Sequence, residues 1–311
     1  MRVLITGGSG FAGRWLAEAC REAGDEVRAL SRADADLLDP SETRSVVAQT
    51  RPEIVHHLAA QAHVGRSWED PAGTLNANVE MTRNLLEAVR HEAPGAVVVA
   101  VASGEVYGPP AELPVSEDAE LRPQNPYAVS KATADLLAGF YADAYGLRVV
   151  RARAFNHAGP GQEPIYAIAS FARQIAAGML AGDDPVRLVT GNPDARRDYT
   201  DVRDVVQAYR LLAERGEAGV AYNVCSGRTA SARELVAALA EAAGVAVDHV
   251  VDPGLVRSHE VMEVRGSAER LRIATGWEPS VPLGTTLADT LAWWREELAS
   301  RTHDELGSPG S

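Results

Sequence analysis

Cysteine is nearly absent: Cys20 and Cys225 are the only two in 311 residues. Neither stands in a metal-ligand or paired-redox spacing, so no metal is expected and both read as inert reduced thiols. Basic residues are outnumbered, 30 Lys and Arg against 43 Asp and Glu, for a formal net charge of -13. That balance excludes a general affinity for nucleic acid or an anionic membrane, though a local arginine cluster could still hold an anionic ligand. No apolar run reaches the roughly 18 residues of a membrane span, and Arg2-Val3-Leu4-Ile5 reads as a strand opening rather than a leader. The expectation is a cytoplasmic protein without a nucleic-acid or membrane partner. Residues 306–311 end in Gly307-Ser308-Pro309-Gly310-Ser311, a composition that predicts a disordered tail.

Short apolar runs alternate with amphipathic stretches through the first two thirds of the chain. Strands are predicted at Val3–Ile5, Glu26–Leu30, Ile54–Leu58, Ala96–Ala100 and Arg148–Ala152. Helices are predicted at Ala12–Ala23, Val79–His91 and Pro126–Tyr145, then at Ala169–Ala181 and Ser231–Ala243. Continuous rather than alternating apolar strands imply burial on both faces, hence a doubly wound parallel α/β sheet of the Rossmann type. Residues 1–160 with about 198–226 are expected to form that dinucleotide-binding domain. Residues 161–197 with 227–305 are expected to form a smaller α/β substrate-binding lobe, over the carboxyl ends of the strands.

Two patterns point to chemistry. Gly7, Gly10 and Gly13 follow the first strand and open the first helix. Glycine there permits a tight turn, lets the backbone approach a pyrophosphate and lets helix and strand pack closely, while the helix start attracts negative charge. Nineteen residues past Gly13 stands Arg32. An acidic residue there would suit the ribose of NAD, whereas arginine suits the 2′-phosphate of NADP, so NADP is preferred and NAD remains open. Asp36 could accept from the adenine amino group, or cap a helix starting near Pro40. The second pattern is Tyr127 and Lys131, one turn apart on a helix opened by Asn125-Pro126. A neighbouring ammonium lowers a phenol's pKa and makes it a usable general acid or base. Ser103, ending the fourth strand, supplies a hydroxyl that could polarise a carbonyl.

These residues resemble the extended short-chain dehydrogenase/reductase superfamily, over residues 1 to 297. His57-Leu58-Ala59-Ala60 and Asn78 add to the likeness. The GDP-mannose branch is suggested by Ala60-Gln61-Ala62-His63-Val64, by Phe155 to Gln162, by Gly191 to Tyr199, by Tyr222 to Gly227 and by Arg257 to Glu260. The resemblance implies cofactor contacts from Phe11, Leu37, Leu58, Ala59, Ala60, Asn78, Tyr127, Lys131 and Phe155. It implies a GDP-hexose site with Asn156, Asn192, Arg197, Arg257 and Glu260, the arginines meeting the diphosphate. Glu105 matches the base that 4,6-dehydratases of the branch use to remove a C5 proton. The dehydratases also carry a long arginine-bearing loop after the second strand, for which Leu30 to Asp36 leaves no room. The implied activity is NADPH-dependent reduction of the C4 keto group of GDP-4-keto-6-deoxy-D-mannose to GDP-D-rhamnose. The alternatives are 4,6-dehydration with a recycled cofactor, nucleotide-sugar epimerisation, and a redox-sensing binding protein without turnover. A homodimer is also implied, through the helices at Val79–His91 and Pro126–Tyr145, with Leu136, Leu137 and Phe140 as candidates for burial there.

Overall fold

The computed structural model of this chain describes residues 1–256 and 261–306, so the tail at Gly307–Ser311 lies outside the described residues. In chain order come β1 (Arg2–Thr6), α1 (Phe11–Glu22), β2 (Glu26–Leu30), α2 (Pro40–Thr50), β3 (Ile54–His57) and α3 (Val64–Glu69). Then follow α4 (Pro71–Glu92), β4 (Val97–Ser103), a 3₁₀ turn at Gly104–Tyr107, α5 (Pro126–Tyr145) and β5 (Arg148–Ala154). Next are β6 (Asn156–Ala158), α6 (Ala167–Ala181), β7 (Val186–Thr190), β8 (Arg196–Asp201), α7 (Val202–Arg215) and β9 (Ala221–Val224). The chain closes with β10 (Thr229–Ser231), α8 (Ala232–Ala243), β11 (Val247–Val251), β12 (Glu263–Val264), α9 (Glu269–Thr275) and α10 (Leu283–Leu306).

The first compact unit comprises Met1–Phe155, Arg203–Gly227 and Gly266–Glu278. Its sheet is six-stranded and parallel, in the order β2-β1-β3-β4-β5-β9. Side chains alternate between the faces of a strand. Leu4, Val55, Val98 and Val149 point into a core completed by Val46 and Val47 of α2, Leu85, Leu86 and Val89 of α4, and Ala138 of α5. Val3, Ile5, Ile54 and Val99, on the opposite face, are buried as well. Burial on both faces is what the continuous apolar runs require. Because β1 pairs with β2 on one side and β3 on the other, the winding direction switches at β1. A crevice outside the carboxyl ends at such a switch is the ligand position of open α/β sheets.

Residues Gly266–Glu278, expected in the smaller lobe, cluster with this unit instead. Ser267 N–H donates to the Val115 carbonyl (2.8 Å), Val115 bridges Gly266, and the Trp277 indole donates to the Asp204 carbonyl (2.9 Å). Helix α4 begins eight residues before the predicted Val79, because Asp70 caps it and Pro71 is preset for a first turn. Asp36 does not cap α2. Asp39 does, accepting from the Ser41 and Glu42 amides, while Asp36 accepts from Leu38 N–H at 3.0 Å.

Among the described residues, the second unit comprises 156–202, 228–256, 261–265 and 279–306. In it β8 pairs with β10, β12 and β6, and β11 pairs with β7. Ile168, Phe171, Ile175, Leu188, Leu235, Leu239 and Leu291 form its separate core.

Candidate active site

The loop after β1 is shaped by missing side chains. Gly7 has φ +69°, in the left-handed region, and a Cβ there would lie 2.8 Å from the Ala59 nitrogen. A Cβ on Gly13 would lie 2.1 Å from the Gly7 carbonyl oxygen, and one on Gly8 2.6 Å from the Ala29 Cβ. Gly8 is therefore constrained like Gly7 and Gly13, and more tightly than Gly10, where a Cβ would lie 3.2 Å from the Gly7 oxygen. The partner of Gly8 is on β2, and only the doublet Gly7-Gly8 hinted at it. Gly10 caps α1 without a side-chain hydrogen bond of its own. A pyrophosphate fits this cradle: the backbone is approachable and the helix start is electropositive. Phe11 opens α1 and is half-buried, whereas Arg32 and Asp36 are exposed just beyond β2. Leu37 points into the protein, 6% exposed, and its carbonyl accepts from Asn84.

Across the switch point, Leu58, Ala59 and Ala60 follow β3 and are half-buried. The Thr6 hydroxyl joins this loop to β1, accepting from Ala59 N–H (3.3 Å) and contacting His57 Nδ1 (2.8 Å). His57 Nε2 reaches Thr82 Oγ1 at 3.1 Å. Burial, helped by the Lys131 ammonium, pushes the His57 imidazole down to about 3, so it stays neutral. Asn78, expected at the cofactor, is buried, with its amide engaged inside the protein. Its Oδ1 accepts from Gln61 N–H (2.7 Å), and its Nδ2 donates to the Gln61 carbonyl (3.2 Å) and to Ser130 Oγ (2.8 Å). Ser130 in turn donates to the Tyr127 carbonyl (2.7 Å). Asn78 thus fastens the β3–α3 loop to α5.

Helix α5 carries the expected pair. Asn125 caps it, accepting from Ala128 N–H (2.7 Å), and Pro126 supplies the first turn. Tyr127 is half-buried. Lys131, the only lysine in the chain, is buried and donates to the Val101 carbonyl on β4. Burial lowers its pKa from 10.5 to about 8, with the Asp135 carboxylate partly opposing the shift. Ser103 ends the same strand two residues further on, and its Oγ accepts from Glu105 N–H (3.2 Å). With one lone pair engaged, the hydroxyl proton is directed elsewhere. The Glu105 carboxylate accepts from Asn125 Nδ2 at 3.2 Å. Strand end and helix start are therefore tied twice, at Lys131–Val101 and at Asn125–Glu105. Phe155 is buried among Tyr107, Gly104 and Gly266.

A model of the NAD dependent epimerase/dehydratase family matches residues 3–225. The chain belongs to that family. GDP-6-deoxy-D-mannose reductase of Pseudomonas aeruginosa is 41% identical over 301 residues, covering 96% of this chain and 98% of the relative. GDP-mannose 4,6-dehydratase of Sinorhizobium fredii is 28% identical over 324 residues, covering 88% and 91%. The structure of RMD from Pseudomonas aeruginosa complexed with NADPH superimposes with a TM-score of 0.88 at 40% identity, covering 96% of this chain and all of that one. As in the rest of the epimerase/dehydratase family, a dinucleotide fold is what the glycine cradle and six-stranded sheet describe.

The second unit holds the remaining candidates. Asn156 opens β6 and is exposed. Asn192 Oδ1 closes a turn onto Asp194 N–H (3.0 Å), and its Nδ2 points at the Met262 sulfur (3.5 Å). Arg197 lies in β8 and donates to the Arg196 carbonyl (2.9 Å). Neighbouring Arg196 is held by Thr229 and Glu234. Arg257 and Glu260 lie outside the described residues.

Proposed function

We propose that this chain is an NADP-dependent reductase that converts GDP-4-keto-6-deoxy-D-mannose to GDP-D-rhamnose. The observation that carries this reading is the 41% identity to a GDP-6-deoxy-D-mannose reductase along nearly the whole of both chains, against 28% to a dehydratase. The short turn from Leu30 to Asp36 agrees with it. Bound NADPH supplies the hydride. The protein's part is to place C4 of the sugar and deliver one proton. Ser103 donates its hydroxyl to the C4 oxygen and polarises the carbonyl. Tyr127 gives that oxygen its proton as hydride arrives, with the Lys131 ammonium stabilising the phenolate left behind. Gly7, Gly10 and Gly13 admit the pyrophosphate, and Arg32 takes the 2′-phosphate. Arg197 and Asn192 of the second unit, with Arg257 and Glu260, receive the GDP moiety.

The test is incubation of the protein with GDP-4-keto-6-deoxy-D-mannose and NADPH, and separately with GDP-mannose and catalytic NADP. Stoichiometric NADPH oxidation in the first supports the reading. Formation of the 4-keto-6-deoxy sugar in the second, abolished by Glu105→Gln, makes the chain a dehydratase instead. The cytoplasm is the proposed location, consistent with the absence, among the described residues, of any helix long and apolar enough to cross a membrane. A homodimer through α4 and α5 is also proposed. Leu136 and Phe140 are 59% and 53% exposed on α5, whereas Leu137 packs against the first core and is withdrawn from that surface. Light scattering at micromolar concentration tests it.

A further inference from the structure

Asn125 uses both ends of its amide, and the two ends face different parts of the catalytic set. The oxygen accepts from Ala128 N–H at 2.7 Å and fixes the first turn of α5, where Tyr127 sits. The nitrogen donates to the Glu105 carboxylate at 3.2 Å, in the 3₁₀ turn that extends β4. The Glu105 backbone N–H then holds Ser103 Oγ at 3.2 Å. A continuous line runs from the proton-donating helix to the hydroxyl that binds the same substrate oxygen. One turn further along α5, Lys131 makes a separate tie to the Val101 carbonyl. The second turn of the helix is thus anchored to β4 by Lys131, and the first turn, with Tyr127, by Asn125.

We propose that Asn125 is a positioning residue of the reaction, setting the placement of Tyr127 relative to Ser103 through its bond to Glu105. The proposal rests on the reductase reading for its kinetic consequence but not for its geometry. The chemistry requires an amide. Aspartate would cap the helix equally well yet present an oxygen to the Glu105 carboxylate, and serine would cap it but is too short to bridge. Proton and hydride delivery depend on sub-ångström placement, and a misplacement of about 1 Å can cost up to about 10²-fold.

The experiment compares wild type with Asn125→Asp, Glu105→Gln and the double variant. The double variant inverts the bridge, so that an amide at position 105 donates to a carboxylate at position 125. Three quantities are read: kcat with the 4-keto GDP-sugar, the Kd of NADPH by direct titration, and hydrogen–deuterium exchange across residues 104–107 and the start of α5. Asn125→Asp should lower kcat by roughly 10- to 100-fold while leaving the NADPH Kd within about twofold. Exchange should rise at 104–107 and in the first helical turn, not in the second. Glu105→Gln alone retains an acceptor for Asn125 and should change kcat only a few-fold. The double variant should recover most of the loss and restore the protection. Should Asn125→Asp fold poorly, Asn125→Ser keeps a cap without the bridge and should show the same exchange pattern. Asn125→Asp within about twofold of wild type in kcat, or a double variant no better than that single one, overturns the proposal. A wild type that does not reduce the 4-keto sugar rejects the substrate assignment alone. The exchange rise and its reversal in the double variant then decide the bridge.

Discussion

At the start of α1 four glycines leave room by carrying no side chain, whereas at the start of α5 short polar side chains each hold a named partner. Both regions lie along the carboxyl edge of one parallel sheet. On the proposed reading the first binds charge with backbone amides, and what ruins it is an added atom. On the same reading the second moves a proton with side chains, and what ruins it is a removed atom. Gain and loss of a single group are thus diagnostic of which end has been damaged.

The largest expected effect is at the second end. Tyr127→Phe removes one oxygen and should lower turnover by about 10²–10⁴, the range of a general acid, with NADPH binding retained. Steady-state rates and a binding titration check both halves, and near-normal turnover would remove Tyr127 from the mechanism. At the first end, Gly13→Ala adds one carbon 2.1 Å from the Gly7 oxygen and must displace the loop. A destabilisation of about 1–3 kcal/mol is expected from the overpacking, with NADPH binding weakened together with stability. Gly95→Ala, where a Cβ meets nothing within 4 Å, is the control and should stay within about 0.5 kcal/mol. Equal behaviour of the two variants in thermal melts and NADPH titrations would break the contrast.

A smaller effect separates the cofactors. Arg32→Ala should weaken NADPH by about tenfold, the worth of one charge-assisted hydrogen bond, and NADH hardly at all. Fluorescence titration of each cofactor checks this, and equal losses would mean that Arg32 does not touch the 2′-phosphate. The mildest prediction concerns pH. Lys131 is protonated below about 8 and loses its proton above it, so kcat/KM should fall as pH rises through that value. Between about 8 and the ordinary 10.5, the folded chain lacks a proton that the unfolded chain keeps. This one group therefore adds stability as pH rises through that window. A rate profile that stays flat well past pH 8 would show that the lysine titrates as it does in water.

Much of this was legible beforehand, for physical reasons that differ by residue. The five core strands announced themselves because burial on both faces demands unbroken apolar runs such as Val97-Val98-Val99. The start of α5 was readable because Asn125-Pro126 is a local start signal. Non-local partners were not legible. Asn78 looked like a cofactor ligand, and only folding reveals that Gln61 and Ser130 occupy its amide. Asp36 was read as a possible cap for α2, and only the folded turn shows that Asp39 takes that place. Leu137 shared its expectation with Leu136 and Phe140, but a helix face one residue round points it to the core. The strands of the second unit lack unbroken apolar runs: β7 alternates buried and more exposed residues and β8, Arg196–Asp201, is polar along most of its length, so neither stands out from the loops.

The single lysine has a practical consequence. The protein surface offers amine-selective reagents no lysine, because the other side chains that remain cationic at neutral pH are all arginines. Such a reagent finds one side-chain amine in this sequence, Lys131, inside the site. The rate at which an acyl group appears on Lys131 therefore reports how often α5 and β4 part enough to admit solvent. It does so by mass alone, without mutation and without a substrate.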